Sequence, residues 1–134
     1  MKGQLLDSKC GITKMVSGSF ETVTQRTREV LKEYGFGILT EIDVKQTMKE
    51  KLGIEYPPFM ILGACNPNIA HQALETDPAI GLFMPCNVMV RQMDNKIEVS
   101  AVNPHQMVVA AGNDKLTPMA EKAYDGLKKA IDKL

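Results

Sequence analysis

The sequence predicts an α+β fold, a single domain in which helices pack on an antiparallel or mixed sheet, in the order βαβαβαββα. Three observations lead to this prediction. Several segments repeat apolar residues at the helical period, two neighbouring runs pair as a hairpin, and a continuous apolar run has the length of a strand. With 134 residues, 44% of them hydrophobic, the chain is suited to one domain with one core.

The first part of the chain alternates strands and helices. Residues 12–18 are predicted to form a short first strand. Apolar residues then recur at helical spacing from Phe20 to Tyr34, which predicts a helix, and Gly35 ends this helix as a C-terminal cap. Residues 36–42 are interpreted as the next strand.

Capping residues mark the helices that follow. Asp43 fits an N-cap with Gln46 three positions later, as in a capping box, and Gly53 ends this short helix. The continuously apolar run Phe59–Cys65 predicts a central strand that is covered on both faces. Asn66 then caps another helix.

Two strands at 82–93 and 96–103 are predicted to form a hairpin. Asp94-Asn95 suits the two-residue turn, because both residue types tolerate positive φ. In this register Arg91 faces Glu98 and aliphatic residues face one another, which supports the pairing.

The same register extends toward a candidate site. It places Cys86 opposite Asn103 and Pro85 opposite Pro104, and we expect the prolines to end the ladder.

A loop through His105 and Gly112 leads to the last predicted helix, which begins at Thr117-Pro118. We therefore divide the chain into an N-terminal segment at 1–17, with a possible first strand, and a single α+β domain at 18–134.

Charge and composition limit the partners and the location. The 16 basic and 16 acidic residues cancel, so no field favours nucleic acid or an anionic membrane. No apolar run has the length of a membrane helix, and the N-terminus has no apolar signal core. Three Cys suit free thiols rather than a disulfide framework. We expect a cytoplasmic protein without nucleic-acid or membrane partners.

Two Cys-Asn motifs supply the candidate ligand-binding residues. One is a Cys-Asn-Pro motif at the end of a predicted strand, and the other is a Pro-Cys-Asn motif near the start of another. Each joins a thiol, an amide that both donates and accepts hydrogen bonds, and a proline that restricts the backbone. With the residue expected across the hairpin, the predicted lining is Cys65, Asn66, Pro67, Pro85, Cys86, Asn87 and Asn103.

Cys65 lies immediately before a predicted helix, where the helix dipole and unpaired N–H groups favour a thiolate and lower the pKa of a thiol. This position allows an enzyme hypothesis in which Cys65 and Cys86 are catalytic residues, as nucleophile and resolving thiol. The C-x-x-C spacing of thioredoxin-type enzymes is absent. Free Cys is also often a small buried hydrophobe, so an inert structural role stays open.

We predict no metal site. The paired C-x-x-C spacing of structural zinc is absent, and His71 and His105 are the only imidazoles. Ligation of a soft metal by Cys and Met is conceivable, but the Met residues are more simply explained as core filler. The motifs indicate no particular cofactor.

The motifs ILGACNP at 61–67 and PCNV at 85–88 resemble those of a known family, the bacterial and archaeal domain of unknown function 302. The similarity extends from about residue 18 to the end of the chain. It implies a compact α+β fold, commonly seen as a dimer, with no settled activity. Asn103 stands where the family usually has Asp, which counts against a general base at this position.

We therefore expect a small homodimer with a Cys- and Asn-lined pocket that binds a small ligand, where Asn66 and Asn87 orient the ligand. A dimer would also cover short edge strands. One alternative is a thiol redox or sulfur-transfer enzyme that uses Cys65 and Cys86. The other is a structural or interaction module with inert buried cysteines.

Overall fold

A six-stranded antiparallel sheet organises the fold. The computed structural model describes residues 4–8 and 10–134. Its strand order is β1-β2-β6-β5-β4-β3, and every neighbouring pair is antiparallel. The strands are β1 Leu5–Asp7, β2 Gly11–Val16, β3 Gly37–Asp43, β4 Phe59–Cys65, β5 Cys86–Gln92 and β6 Ile97–Val102. The predicted α+β class is confirmed.

In the described part of the chain, three helices connect strands, and two more come after the last strand in the sequence. They are α1 Phe20–Glu33, α2 Val44–Leu52, α3 Pro67–Thr76, α4 Pro104–Ala111 and α5 Thr117–Asp132, with 3-10 turns at Pro78–Phe83 and Asp114–Leu116. Helices α1 and α5 pack directly on the sheet, whereas α3 and α4 pack against α5. No helix in 4–8 and 10–134 is long and apolar enough to cross a membrane.

Two elements were missing from the predicted order. β1 has only three residues and forms through its pairing with β2, so its own sequence carries too little pattern to identify it. The predicted loop after Asn103 is instead α4. The Asn103 side chain caps this helix and Pro104 lies in its first turn. Gly112, whose φ is +67°, is the C-terminal cap.

The predicted hairpin register is confirmed, but its turn differs. Arg91 faces Glu98 and Val90 faces Val99, as expected. The Met93 N–H donates to the Lys96 carbonyl at 2.9 Å. No described residue other than glycine has a positive φ, so the turn does not use the left-handed conformation that suggested it. The pairing of apolar side chains therefore determines the register.

The helix caps are mostly as predicted. Asp43 accepts a hydrogen bond from the Gln46 N–H at 3.0 Å. The Gln46 amide, however, donates to Glu50 at 2.9 Å instead of turning back, so the capping box is incomplete. Asn66 caps α3 through two N–H groups, with Pro67 in the first turn.

The prediction that β4 is covered on both faces is wrong. Leu62 and Ala64 point into the core and are fully buried. Ile61 points to the other face, is half-buried and lines an open groove with Met89 and Ser100. Outward-facing apolar residues made the run look continuous, although α1 and α5 cover only the opposite face.

The core consists of two neighbouring clusters. The larger lies between the sheet and helices α1 and α5, and the smaller involves α3, α4, α5 and the two 3-10 turns. Phe36 belongs to the first cluster and Ile80 to the second. The seam between the clusters contains a pocket.

Candidate functional site

An apolar pocket of about 70 Å³ lies where β4 ends and β5 begins, beneath α3, α4 and α5. It is bounded by members of both core clusters, for example Ala64 and Ala120. The complete lining is Phe36, Ala64, Cys65, Asn66, Ile69, Ala70, Ala73, Ile80, Met84, Pro85, Cys86, Pro104, Met107, Val108, Leu116, Met119, Ala120 and Ala123.

The pocket brings together part of the predicted set. Cys65 and Asn66 from the first motif line it, and so do Pro85 and Cys86 from the second. Antiparallel pairing of β4 with β5 explains this, because Cys86 lies opposite Ala64, the neighbour of Cys65.

The other three predicted residues lie outside this lining. Pro67 is exposed in the first turn of α3. Asn87 is exposed and lines two other grooves, one of which is the open groove that Ile61 and Met89 also line. Asn103 accepts from the His105 N–H at 3.1 Å and donates to the Ser8 carbonyl at 3.1 Å.

The predicted pairing of Cys86 with Asn103 is also absent. The β5–β6 ladder begins at Val88 and Ala101, and the pocket wall on that side is Pro104. β6 ends at Val102, and Asn103 is already the N-cap of α4. Asn103 is therefore not paired with Cys86 in the sheet.

The Asn66 amide is committed to local structure. Its Oδ1 accepts from the N–H groups of Asn68 at 3.1 Å and Ile69 at 3.2 Å. Its Nδ2 lies close to Gly35, where a Cβ would be only 2.9 Å away. Gly35 itself has φ +87°, a conformation that favours glycine. Asn66 therefore caps α3 and packs close to the end of α1.

The environment of the pocket favours the protonated form of both thiols. Burial raises the pKa of Cys65, and burial together with the neighbouring Cys65 raises the pKa of Cys86 to about 11. The predicted lowering of the Cys65 pKa is therefore wrong. Asn66 already occupies the first N–H groups of α3, which would otherwise have stabilised a thiolate.

The pocket also contains three methionines, a residue type that the sequence analysis favours as core filler rather than as part of a site. Met84 precedes β5, Met107 lies on α4 and Met119 lies on α5, and all three are half-buried. The alternation of Met84 with Cys86 was a usable signal. Met107 is explained as core filler in a predicted loop that is in fact α4, and Met119 lies beside the predicted apolar stripe of the last helix.

The histidines lie elsewhere. His105 is on α4, with its ring centroid 5.4 Å from that of Tyr124. His71 is exposed and lies 3.5 Å from Glu75. Neither lines the pocket, so no imidazole stands beside Cys65 or Cys86 as a base. Within the described ranges, no three His, Cys, Asp or Glu side chains form a metal-binding cluster.

Comparison with known proteins identifies similar sequences and structures of undetermined activity. A family model described as domain of unknown function DUF302 matches residues 12–134. The fold is similar to the crystal structure of an uncharacterized conserved DUF302 protein from Bacillus stearothermophilus. The two chains are 28% identical with a TM-score of 0.84, over 91% of this chain and 95% of that one. None of the curated proteins matches.

Proposed function

Since this chain belongs to the family of the domain of unknown function DUF302, as its motifs suggested, we propose its role from its own pocket. It is a small-ligand-binding protein that acts as a homodimer. The observation that carries the proposal is that Cys65 and Cys86, from motifs some twenty residues apart, line the same apolar pocket.

Binding accounts for the pocket better than thiol catalysis does. A nucleophilic cysteine acts as the thiolate, and burial holds both thiols in the neutral form. No histidine lines the pocket to remove the proton. Cys86 also lies opposite Ala64 rather than Cys65, so the two cysteines are not directly opposed in the β4–β5 ladder. These features count against the redox and sulfur-transfer alternative.

The dimensions of the pocket favour a very small ligand. Its volume is about 70 Å³. An engineered apolar cavity of about 150 Å³ holds one benzene molecule. Asn66 is the only lining residue with a polar amide, and its oxygen already accepts two hydrogen bonds. The ligand would be held by apolar and sulfur contacts rather than by a polar network.

The uncovered face of the sheet supports a homodimer. A row of directly paired residues crosses all six strands on this face. It consists of Ile42, Ile61, Met89, Ser100, Thr13 and Leu6. Four of these side chains are apolar, and the two central hydroxyls, on Ser100 and Thr13, bond to each other at 2.7 Å.

The charge on this face is also balanced. Arg91 and Glu98 are paired through Nε and Oε1 at 2.9 Å, so a second copy would meet no net charge there. An exposed apolar surface of this kind suits self-association through a two-fold axis.

The state of the cysteines supports a cytoplasmic location for the protein. All three cysteines are free, which suits a reducing compartment.

Native mass spectrometry tests the proposal. The protein is purified without chelator or metal-affinity resin, beside a Cys65→Ser/Cys86→Ser double variant and a Cys10→Ser control. Cys10 is exposed and lies outside the pocket. We expect a dimer with an additional mass that the control keeps and the double variant loses. A bare chain mass, together with thiols that react only after unfolding, would instead favour the structural alternative.

A further inference from the structure

The pocket is unusually rich in sulfur. Five of its 18 lining residues are Cys or Met. The whole 134-residue chain contains only nine Met and three Cys. Methionine is a common core filler, and Met60 packs against the larger core cluster in this way, but three methionines and two cysteines lie around this one small cavity.

The five sulfur side chains come from separate walls. Cys65 ends β4, Met84 and Cys86 flank the start of β5, Met107 lies on α4 and Met119 on α5. Cys86 packs against the larger core cluster, and the three methionines pack against the smaller one. Sulfur-containing residues therefore lie on both sides of the seam.

We propose that this pocket binds a soft monovalent metal ion of the Cu(I) type, through Cys86 and Cys65 with thioethers of Met84, Met107 and Met119. This inference rests on the proposed function, because it names the ligand class of the same site. Thiolate and thioether ligands select Cu(I), whereas hard cations require oxygen ligands.

The other lining residues exclude competing ligand classes. The lining contains no carboxylate, imidazole, lysine or arginine, which are the groups that hold hard cations or anions. The Asn66 oxygen is occupied by the N–H groups of Asn68 and Ile69. A cavity of about 70 Å³ also suits a single ion better than an organic metabolite.

Charge balance determines how the ion is held. One thiol loses its proton to solvent water, and the resulting thiolate forms a bond to the ion. This pair has no net charge, as an apolar pocket requires, and the second thiol and the thioethers complete the coordination as neutral donors. The ion keeps its oxidation state throughout, so the step needs no oxidant or reductant.

Methionine suits a site that must adjust around an ion. Its side chain is unbranched and polarisable, so modest rotamer changes can bring a thioether to the ion. Replacement of Met by Leu nearly conserves volume and removes only the donor atom. These variants therefore separate coordination from packing.

Anaerobic competition for Cu(I) against bathocuproine disulfonate tests the inference. We expect the wild type and Cys10→Ser to bind one ion per chain. Cys86→Ala, Cys65→Ser and a Met84→Leu/Met107→Leu/Met119→Leu variant should each weaken binding by about tenfold or more. Circular dichroism checks folding, and the methionine variant keeps the test valid if Cys86→Ala misfolds.

X-ray absorption at the copper edge provides an independent readout. A coordination shell of sulfur alone is expected. A shell containing nitrogen or oxygen, or affinity that depends on Cys10 rather than Cys86, would overturn the inference. Affinity unchanged by the methionine replacements would overturn it as well, since a thioether role would then be excluded.

The two proposals fail in different ways. If Cu(I) does not bind but the native protein carries an organic mass that depends on Cys65 and Cys86, the metal inference is wrong and the ligand-binding proposal stands. If neither the ion nor any other mass depends on these thiols, both proposals are wrong.

Discussion

The ring of Phe36 packs directly on Gly126 of α5, so closely that a Cβ on the glycine would lie 2.7 Å from Cε2 of the ring. Phe36 is 2% exposed and lines the pocket. A glycine inside a helix is normally unfavourable, so its presence here indicates that the close approach of α5 to Phe36 outweighs helix propensity.

Gly126→Ala should therefore destabilise the protein despite the better helix propensity of alanine. The added Cβ would force the buried ring to shift, and overpacking of this kind costs about 1–3 kcal/mol. Chemical denaturation measures the change. Gly37→Ala is the control, because nothing lies within 4 Å of a Cβ at that position. A stabilised Gly126→Ala protein would mean that Phe36 moves aside.

Lys14→Met should lower stability by roughly 2–3 kcal/mol, because charged hydrogen bonds to buried groups are lost. Lys14 is 3% exposed, and its Nζ donates to the main-chain oxygens of Asp132 at 2.7 Å and Leu134 at 2.9 Å. Methionine retains the apolar stem. The exposed Lys32→Met is the matched control and should change the free energy of unfolding little. If Lys14→Met and Lys32→Met lowered the free energy of unfolding equally, the buried hydrogen bonds of Lys14 would not stabilise the fold.

Asn66 is expected to act mainly as a helix cap. Asn66→Asp keeps an oxygen for the N–H groups of Asn68 and Ile69 and should leave stability nearly unchanged. Asn66→Ala should cost about 1 kcal/mol. Thermal unfolding of both variants distinguishes them. Equal losses in the two variants would show that the amide nitrogen beside Gly35 matters more than the cap.

The free energy of unfolding should fall at alkaline pH partly because of Cys86. Its pKa of about 11 lies above that of an unfolded thiol, about 8.5. Below the pKa of the unfolded thiol, both the folded and the unfolded chain keep the Cys86 proton, and the contribution of this thiol to the free energy of unfolding is fully present. As the pH rises toward 11, the unfolded chain loses the proton first and stability decreases.

Denaturation at pH values between 8 and 10.5 measures this dependence. Cys86→Ala should show a shallower decline than the wild type, whereas Cys10→Ala, at an exposed position, should follow the wild type. Identical slopes for the wild type and Cys86→Ala would mean that the thiol is not desolvated in the folded protein.

Ile61→Asp should dissociate the proposed dimer without unfolding the chain, because this side chain faces the open groove and not the core. Analytical ultracentrifugation gives the mass, and circular dichroism reports folding. Val109→Asp is the control, an equally large change at a side chain that is 71% exposed on α4. Dissociation by the control alone would move the interface to α4.

The resemblance to a known family was accurate because it rested on contiguous motifs. The segments 61–67 and 85–88 contain the pocket residues Cys65, Asn66, Pro85 and Cys86, and the family model extends to the end of the chain. The pocket itself was only partly predictable. The hairpin register brings Pro104 near Cys86, but Met107 comes from a helix that is predicted as a loop, so no helical period places it beside the cysteines.

The sequence by itself determined features that depend on neighbouring residues. The pairing of Arg91 with Glu98, the cap at Asp43 and the helix from Phe20 follow from local periodicity and hydrogen bonding, which the order of residues specifies directly. Only the tertiary structure decided which face of β4 is covered and where Asn103 lies. It also decided the direction of the thiol pKa shifts, because desolvation depends on segments packed together from distant parts of the chain.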